Sequence, residues 1–405
     1  MSASLLYHGF GIRGYHYVRT IYELGCVFFN IVQDQFSLRC PHCKSKNVIK
    51  RGTKTRTLRT VPIGNKPVFI NIPVQRVECA DCGSVCQVKL NFADERVSYT
   101  KAFERYALEL LKHMTILDVA RHLGVSWDVI KEIQKRNLQK RYSKPKLNKL
   151  KKIAIDVISI GKGHKYLTIV LDLMTGAVVF VGDGKGADAL EPFWKRLKPR
   201  SAKKIKAVAI DMSPAYISAI QCNLPHAAIV FDHFHIIKLY NEKLSDFRRL
   251  PHNSMPDNLQ KNVLKGTRWL LLKGQENLDD SRNEAKRLQD ALDLNRPLAI
   301  AYYMKEDLRT LWDQEDKVTA EWHLNSQREM AKASKIPMLV KFANTLFAHL
   351  SGILSYFDHR ISTGPLEGTN NKIKTMKRQA YGFRDLDFFK LRILGIHESK
   401  YALVG

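Results

Sequence analysis

The sequence predicts a multidomain α+β protein in which two small modules precede a larger α/β domain, and three observations carry that reading. Two Cys-x-x-Cys pairs lie near the N-terminus, a helix-turn-helix spacing follows them, and after Pro145 the apolar period switches from helical to extended. At 405 residues the chain is too long for one ordinary core, so two to four domains are expected. Its apolar fraction of 45% is that of a globular protein. The formal net charge of +27 implies a polyanionic partner, with nucleic acid the first candidate and an anionic membrane surface the second. No window offers the roughly 18 to 20 unbroken apolar residues of a spanning helix. The first residues lack a basic start, and Arg13, His16 and Arg19 interrupt the stretch after them, so no secretory pattern is present. The expected compartment is the reducing cytoplasm, where seven cysteines favour metal ligation over disulfides.

Residues 1–35 form an N-terminal segment, and residues 36–95 read as a zinc ribbon. Cys40-Pro41-His42-Cys43 and Cys79-Ala80-Asp81-Cys82 can each form a tight knuckle, and two knuckles supply the four thiolates of a structural zinc. The spacer is long and β-rich, as in Pro67-Val68-Phe69-Ile70-Asn71-Ile72, so a hairpin must bring the knuckles together. Cys86 lies close enough to compete as a ligand, Cys26 and Cys222 look like isolated apolar cysteines, and the bland alternative is a set of reduced core thiols.

Residues 96–145 follow a helical pattern with the spacing of a helix-turn-helix between Thr115 and Ile133. Ala120 is small where two helices cross, Gly124 permits the turn, Val125, Ile130 and Ile133 fill the core, and Ser126 is expected to cap the second helix. Trp127, Asp128, Lys131 and Lys135, with Arg136 beside them, would face a major groove; a plain helical hairpin is the alternative. From Lys131 to Lys152 there are ten Lys or Arg residues and one Glu, a run suited to neutralising phosphates.

From residue 146 to 240 the pattern is α/β. Ile153 to Ile160, Tyr166 to Leu173 and Ala177 to Val181 read as three strands with turns at Gly161-Lys162-Gly163 and Met174-Thr175-Gly176. Next come a helix around Asp188 to Leu197, a strand from Ile205 to Ile210, a helix opened by Ser213-Pro214 and a strand from Ala227 to Phe231. Three antiparallel strands and then alternating helix and strand is the order of a ribonuclease H-like α/β domain. Residues 241–355 read as an all-helical insertion, with amphipathic stretches such as Leu292 to Trp312 and Met338 to Phe357, and residues 356–405 as the last part of the interrupted domain. Trp269 is either a stacking platform for an unpaired base or, as the usual burial of tryptophan favours, a core residue.

Three acids stand out against this frame. Asp156 interrupts an apolar run, Asp211 ends another, and Glu367 follows Gly364-Pro365, a good helix start. A carboxylate inside a β-type apolar run costs several kcal/mol, on the order of the penalty for a buried charge, unless a cation or donor compensates it. From Glu367 one helical face runs through Asn371, Lys374 and Arg378, placing a carboxylate ahead of groups suited to DNA phosphate. An ordinary helix arranged to suit its macrodipole would look the same.

The opening Leu6 to Tyr15, both knuckles, Ile155-Asp156, Ile210-Asp211-Met212-Ser213 and Glu367-Gly368-Thr369-Asn370-Asn371-Lys372-Ile373-Lys374, ending in Arg378 and Tyr381-Gly382-Phe383, resemble a DDE-type bacterial insertion-sequence transposase of the ISL3 family over nearly the full length. The resemblance implies a catalytic triad of Asp156, Asp211 and Glu367 that holds two Mg2+ or Mn2+ ions about 3.5 to 4 Å apart astride a scissile phosphate. It points also to Asp232 and His235 as an accessory Asp-x-x-His element, which bottom-up could be a helix cap with a packed histidine. Expected partners are double-stranded DNA, at the element's terminal inverted repeats and at the target, and further copies of the chain in a dimer or larger synaptic assembly associated with the nucleoid. The rival readings are a non-catalytic transposase-derived DNA-binding regulator and a different ribonuclease H-like nuclease such as a junction resolvase.

Overall fold

A computed structural model describes residues 3–34, 38–161, 163–254, 267–293 and 295–397, so Lys162 of the first expected turn, residues 255–266 of the expected insertion and the last eight residues lie outside it. The chain divides into two compact units, one from the N-terminus to Ser143 and one spanning Lys144–His397.

The first unit is built on a five-stranded sheet, β1 (Tyr15–Glu23), β2 (Cys26–Gln33), β3 (Val48–Ile63), β4 (Lys66–Cys79) and β5 (Val85–Gln87), in the order β1-β2-β4-β3 with β5 on the end of β4. Strand β4 shows the period of two that a half-buried strand requires, with Val68, Ile70, Ile72 and Val74 all buried. The N-terminal segment is part of this sheet, because β2 pairs in parallel with β4. Helices Lys101–Leu110, Ile116–Leu123 and Trp127–Tyr142 pack around Phe103, Val119, Ala120, Leu123, Ile130 and Ile133. Gly124 has φ +62°, the left-handed turn between the last two, which is open to glycine at no steric cost. Ser126 stands at the N-cap in extended conformation, yet its side chain makes no capping bond, contrary to expectation; Thr115 does cap its helix, accepting from the Asp118 amide at 3.2 Å.

Arg59 joins sheet and helices. Its guanidinium, only 8% exposed, donates to the Leu123 carbonyl at 3.0 Å and lies over the Phe69 and Phe103 rings. The backbone pairs beside it as well, Arg59 N to Ser98 O at 2.8 Å and Thr100 N to Arg59 O at 2.9 Å.

In the second unit, β6 (Lys152–Gly161), β7 (Lys165–Asp172), β8 (Ala177–Asp183), β9 (Ala207–Ile210) and β10 (Ala228–Phe231) form a sheet in the order β10-β9-β6-β7-β8. The first three strands are antiparallel, and β6, β9 and β10 run parallel. Alternation sends Ile153, Ile155, Val208 and Ile210 into one core and Ala154, Ala207, Ala209 and Val230 into the other. The second core is closed by helices Gly364–Gln379 and Leu386–Leu394 through Leu366, Ile373, Met376, Phe389 and Ile393. Between β10 and residue 360 the described secondary structure is entirely helical, from His233–Ser254 to Leu350–His359. The expected stretch from Met338 to Phe357 is two helices, Pro337–Ala348 and Leu350–His359, meeting at a 58° bend. Gly352 of the second lies on β10 so closely that a Cβ there would run into the Phe231 ring. Among the described residues no single helix is long and apolar enough to cross a membrane.

Trp269 is not a core residue. It is 67% exposed, with the Arg268 guanidinium 4.9 Å from its ring centre. The short helix Arg268–Leu272 that carries it is anchored by Lys305, buried, whose Nζ donates to the Leu271 and Lys273 carbonyls at 2.7 Å each.

Candidate functional sites

The β3–β4 hairpin solves the spacing problem of the cysteines. Its register sets Val48 opposite Cys79, so the two knuckles flank one end of the same ribbon. The knuckles are alike: Cys40 N donates to Ser45 O and Lys44 N to Cys40 O, while Cys79 N donates to Ser84 O and Gly83 N to Cys79 O. Lys44 and Gly83 take the left-handed conformation at matching places, φ +63° and +67°. The four Sγ atoms of Cys40, Cys43, Cys79 and Cys82 all lie within 4.8 Å of one another, with Cys40 to Cys82 at 3.7 Å and Cys43 to Cys79 at 3.4 Å. A tetrahedron with Zn–S bonds of about 2.3 Å has edges of about 3.8 Å, so the set fits zinc. The Ser84 hydroxyl, 2.9 Å from Cys82 Sγ and 3.5 Å from Cys40 Sγ, is the main cause that holds the Cys40 thiol down to about 5. Cys86 stands outside the group, paired across from Val77 on β5, and burial pushes its thiol up. Cys222 is exposed, not apolar core.

In the helix-turn-helix, Trp127 is 43% exposed and the Lys131 ammonium lies 5.3 Å from its ring centre. Asp128 is exposed and Lys131 and Lys135 are half-buried. Arg136 is turned inward: it donates to the Tyr99 hydroxyl at 2.8 Å and to Glu104 at 3.4 Å. These bonds brace the helices, and the side chain is half-buried like those of Lys131 and Lys135.

The acids gather on one face of the second sheet, across β6, β9 and β10. Ala154 lies opposite Ala209 on β9, and Ile210 opposite Phe231 on β10, so the same registers carried forward set Asp156, in the middle of β6, in a row with Asp211 and Asp232, just past the ends of β9 and β10. Neighbouring strands are about 4.8 Å apart. Alternation turns all three toward the face covered by Gly364–Gln379, since Ala154, Ala209 and Val230, two residues before each, lie in that core. Each is held by donors: Asp156 Oδ1 accepts from the Val157 amide at 2.7 Å, Asp211 Oδ1 from the Ser213 amide at 3.1 Å, and Asp232 Oδ1 from the Thr363 amide at 3.3 Å. Asp232 is 2% exposed and Thr363 is the residue before the helix, so this bond seats the helix start on the sheet.

Burial lifts the Asp156 carboxyl above the ordinary aspartate range; the Val157 amide and nearby His235 draw it back, and Asp211 and Asp232 push it further up. Beneath the row, the buried Tyr216 hydroxyl bonds Thr168 Oγ1 at 2.8 Å and is pushed up to about 12, first by burial and then by Asp211 and Asp156 against the opposing Thr168 bond. Glu367 occupies the first turn of the covering helix and is exposed. Among the described residues no three of these carboxylates come within 4.8 Å of one another, as the cysteines do. Lys374 and Arg378 are exposed along the same helix, on the face expected for them.

One contact has no counterpart among the expectations from sequence. Asn370, one turn beyond Glu367 and 5% exposed, donates through Nδ2 to Asp156 Oδ2 at 2.8 Å. Asn371, placed on the active face by its spacing from Glu367, is exposed. The usable signal is that Asn370 interrupts the apolar stripe Leu366–Ile373–Met376, as Asp156 interrupts its strand.

Comparison with known proteins agrees with this layout. Residues 153–393 match a DDE-type transposase model of the ISL3 group, residues 88–136 the helix-turn-helix domain of transposase family ISL3, and residues 37–82 the zinc-finger of transposase IS204/IS1001/IS1096/IS1165. The chain is 33% identical over 356 residues to the transposase for insertion sequence element IS1001 of Bordetella parapertussis, covering 87% of each chain. It is 26% identical over 372 residues to the transposase for insertion sequence element IS1557 of Mycobacterium tuberculosis, covering 85% of this chain and 82% of the relative.

Proposed function

This chain belongs to the ISL3 family of transposases, and on that premise we propose that it binds the terminal inverted repeats of its own insertion sequence, cleaves DNA there, and transfers the freed 3′-hydroxyl into target DNA. The reading is supported most by one observation: Asp156 in mid-β6 and Asp211 at the end of β9 stand on adjoining strands, beneath the helix that carries Glu367, with the Asn370–Asp156 bond fixing that helix to the row. The strand order suits a ribonuclease H-like domain, and the described helices between residues 241 and 355 then form an insertion within it.

Asp156, Asp211 and Glu367 would hold two Mg2+ or Mn2+ ions, with Asp232 and His235 as accessory groups. The donor set fits a hard cation: it is all oxygen, and a cation would relieve the burial and like-charge repulsion that raise the Asp156 carboxyl. Bound there, such ions would activate water and then the 3′-hydroxyl and stabilise charge developing in line at phosphorus. The fold supplies what they need. Backbone amides orient Asp156 and Asp211, the Asp232–Thr363 bond seats the covering helix, and Lys374 and Arg378 extend a cationic face beyond Glu367. End recognition falls to the helix-turn-helix through Trp127, Lys131 and Lys135, on a sheet stapled by structural zinc. Two DNA ends handled together call for a homodimer or larger assembly, working in the cytoplasm at the nucleoid.

The test is strand cleavage and 3′-end joining by the full chain on its inverted-repeat DNA with Mg2+. Asp156→Asn is expected to lose both by at least about a hundredfold while retaining end binding. Substantial Mg2+-dependent strand transfer by Asp156→Asn would overturn the assignment.

A further inference from the structure

Asn370 leaves half of its side chain unexplained. The Nδ2 bond to Asp156 accounts for the donor, but Oδ1 is buried with no hydrogen-bond partner. Leaving a buried amide oxygen unpaired costs about 1 to 3 kcal/mol. Flipping the amide offers no relief, because it would set Oδ1 against the Asp156 carboxylate and waste the donor. The side chain is therefore fixed in rotation by Asp156, and its oxygen is fixed with it, beside the row of acids. A leucine or isoleucine would continue the stripe of Leu366 and Ile373 and pack the same space, so packing alone does not explain an amide here.

We propose that Asn370 is a further member of the carboxylate site, its amide nitrogen positioning Asp156 and its amide oxygen serving as a neutral ligand or water acceptor for the divalent cation the acids gather. The inference rests on the reading of those acids as a cation site. A carbonyl-type oxygen suits a hard cation and adds coordination without adding a fourth negative charge to an already repulsive row. Asn370 also ties cation binding to the seating of the helix that carries Glu367, since the two residues share one turn.

The experiment titrates the zinc-loaded full chain with Mn2+ alone, counting free ion by electron paramagnetic resonance, and records melting of each variant without Mn2+. Asn370→Ala is expected to weaken Mn2+ binding about tenfold, the effect usual for groups that orient metal ligands. Asn370→Leu, which fills the same space without an amide, is expected to bind Mn2+ as weakly as Asn370→Ala. Unchanged Mn2+ affinity in Asn370→Ala, even with a lowered melting temperature, would reduce the residue to packing and overturn the proposal. Mn2+ affinity in Asn370→Leu as tight as in the unaltered chain would equally overturn the role of the amide. Asp156→Asn in the same titration tells the two readings apart, because full affinity there would mean that the acids themselves are not the cation site.

Discussion

The cysteine group and the acidic row are two candidate metal sites made in opposite ways. The cysteines come from the two ends of one hairpin, their knuckles repeat the same backbone bonds, and their sulfurs already stand at the spacing zinc requires. The acids come from three strands and a helix separated by more than a hundred residues of other structure, and their oxygens stay further apart. Thiols can share hydrogens at close range, whereas ionised carboxylates repel. A site with locally supplied ligands is finished by folding; one assembled across a domain is held near its working geometry by amides and completed by what binds. Under the proposed function, structural and catalytic duties divide along that line.

The sharpest way to break the comparison is to take zinc away. Cys79→Ser, or a strong chelator, is expected to abolish cooperative folding of the first unit, since structural zinc sites contribute about 10 to 16 kcal/mol in zinc-finger peptides. Circular dichroism melts and retention of inverted-repeat DNA would both register the loss; a chelated protein that melts and binds DNA as before would show that the hairpin alone suffices. A smaller effect is expected at the acidic row, where Asp232→Ala should be less stable than Asp232→Asn by about 1 to 3 kcal/mol. Both variants remove the charge, but only Asn keeps an acceptor for the Thr363 amide, so equal melting temperatures would mean that this bond does not seat the helix.

The smallest effect is the most diagnostic. Because the folded-state carboxyl of Asp156 titrates above its unfolded value, its ionisation costs stability. That cost is absent below the unfolded value, grows as pH rises between the two, and is complete above the folded value. Without divalent ions, Asp156→Asn should therefore melt a few degrees higher than the unaltered chain at neutral pH, and the gain should vanish under acid conditions. A gain independent of pH would mean that the row does not strain Asp156.

Legibility in the sequence divides in the same way. The knuckles, the turn at Gly124 and the alternating strands are local patterns, and Asp156 and Asp211 are visible because each breaks an apolar run. The rotation of Gly364–Gln379 is not, since spacing from Glu367 satisfies Asn370 and Asn371 equally and only the packing of Leu366, Ile373 and Met376 on the sheet chooses between them. Arg136 escapes a local reading because its partners, Tyr99 and Glu104, lie more than thirty residues upstream. The N-terminal strands escape it because β2 joins β4 in a parallel, non-local pair. Trp269 follows no rule of average burial; its helix is held by Lys305 from beneath, which leaves the ring outside.

The buried Arg59 has a mechanical consequence. With its guanidinium on the Leu123 carbonyl and its backbone paired to Ser98 and Thr100, Arg59 ties the sheet to the helix-turn-helix by side chain and main chain at one point. If both elements contact DNA, that tie would fix the spacing of their contacts, making this unit a ruler rather than a hinge.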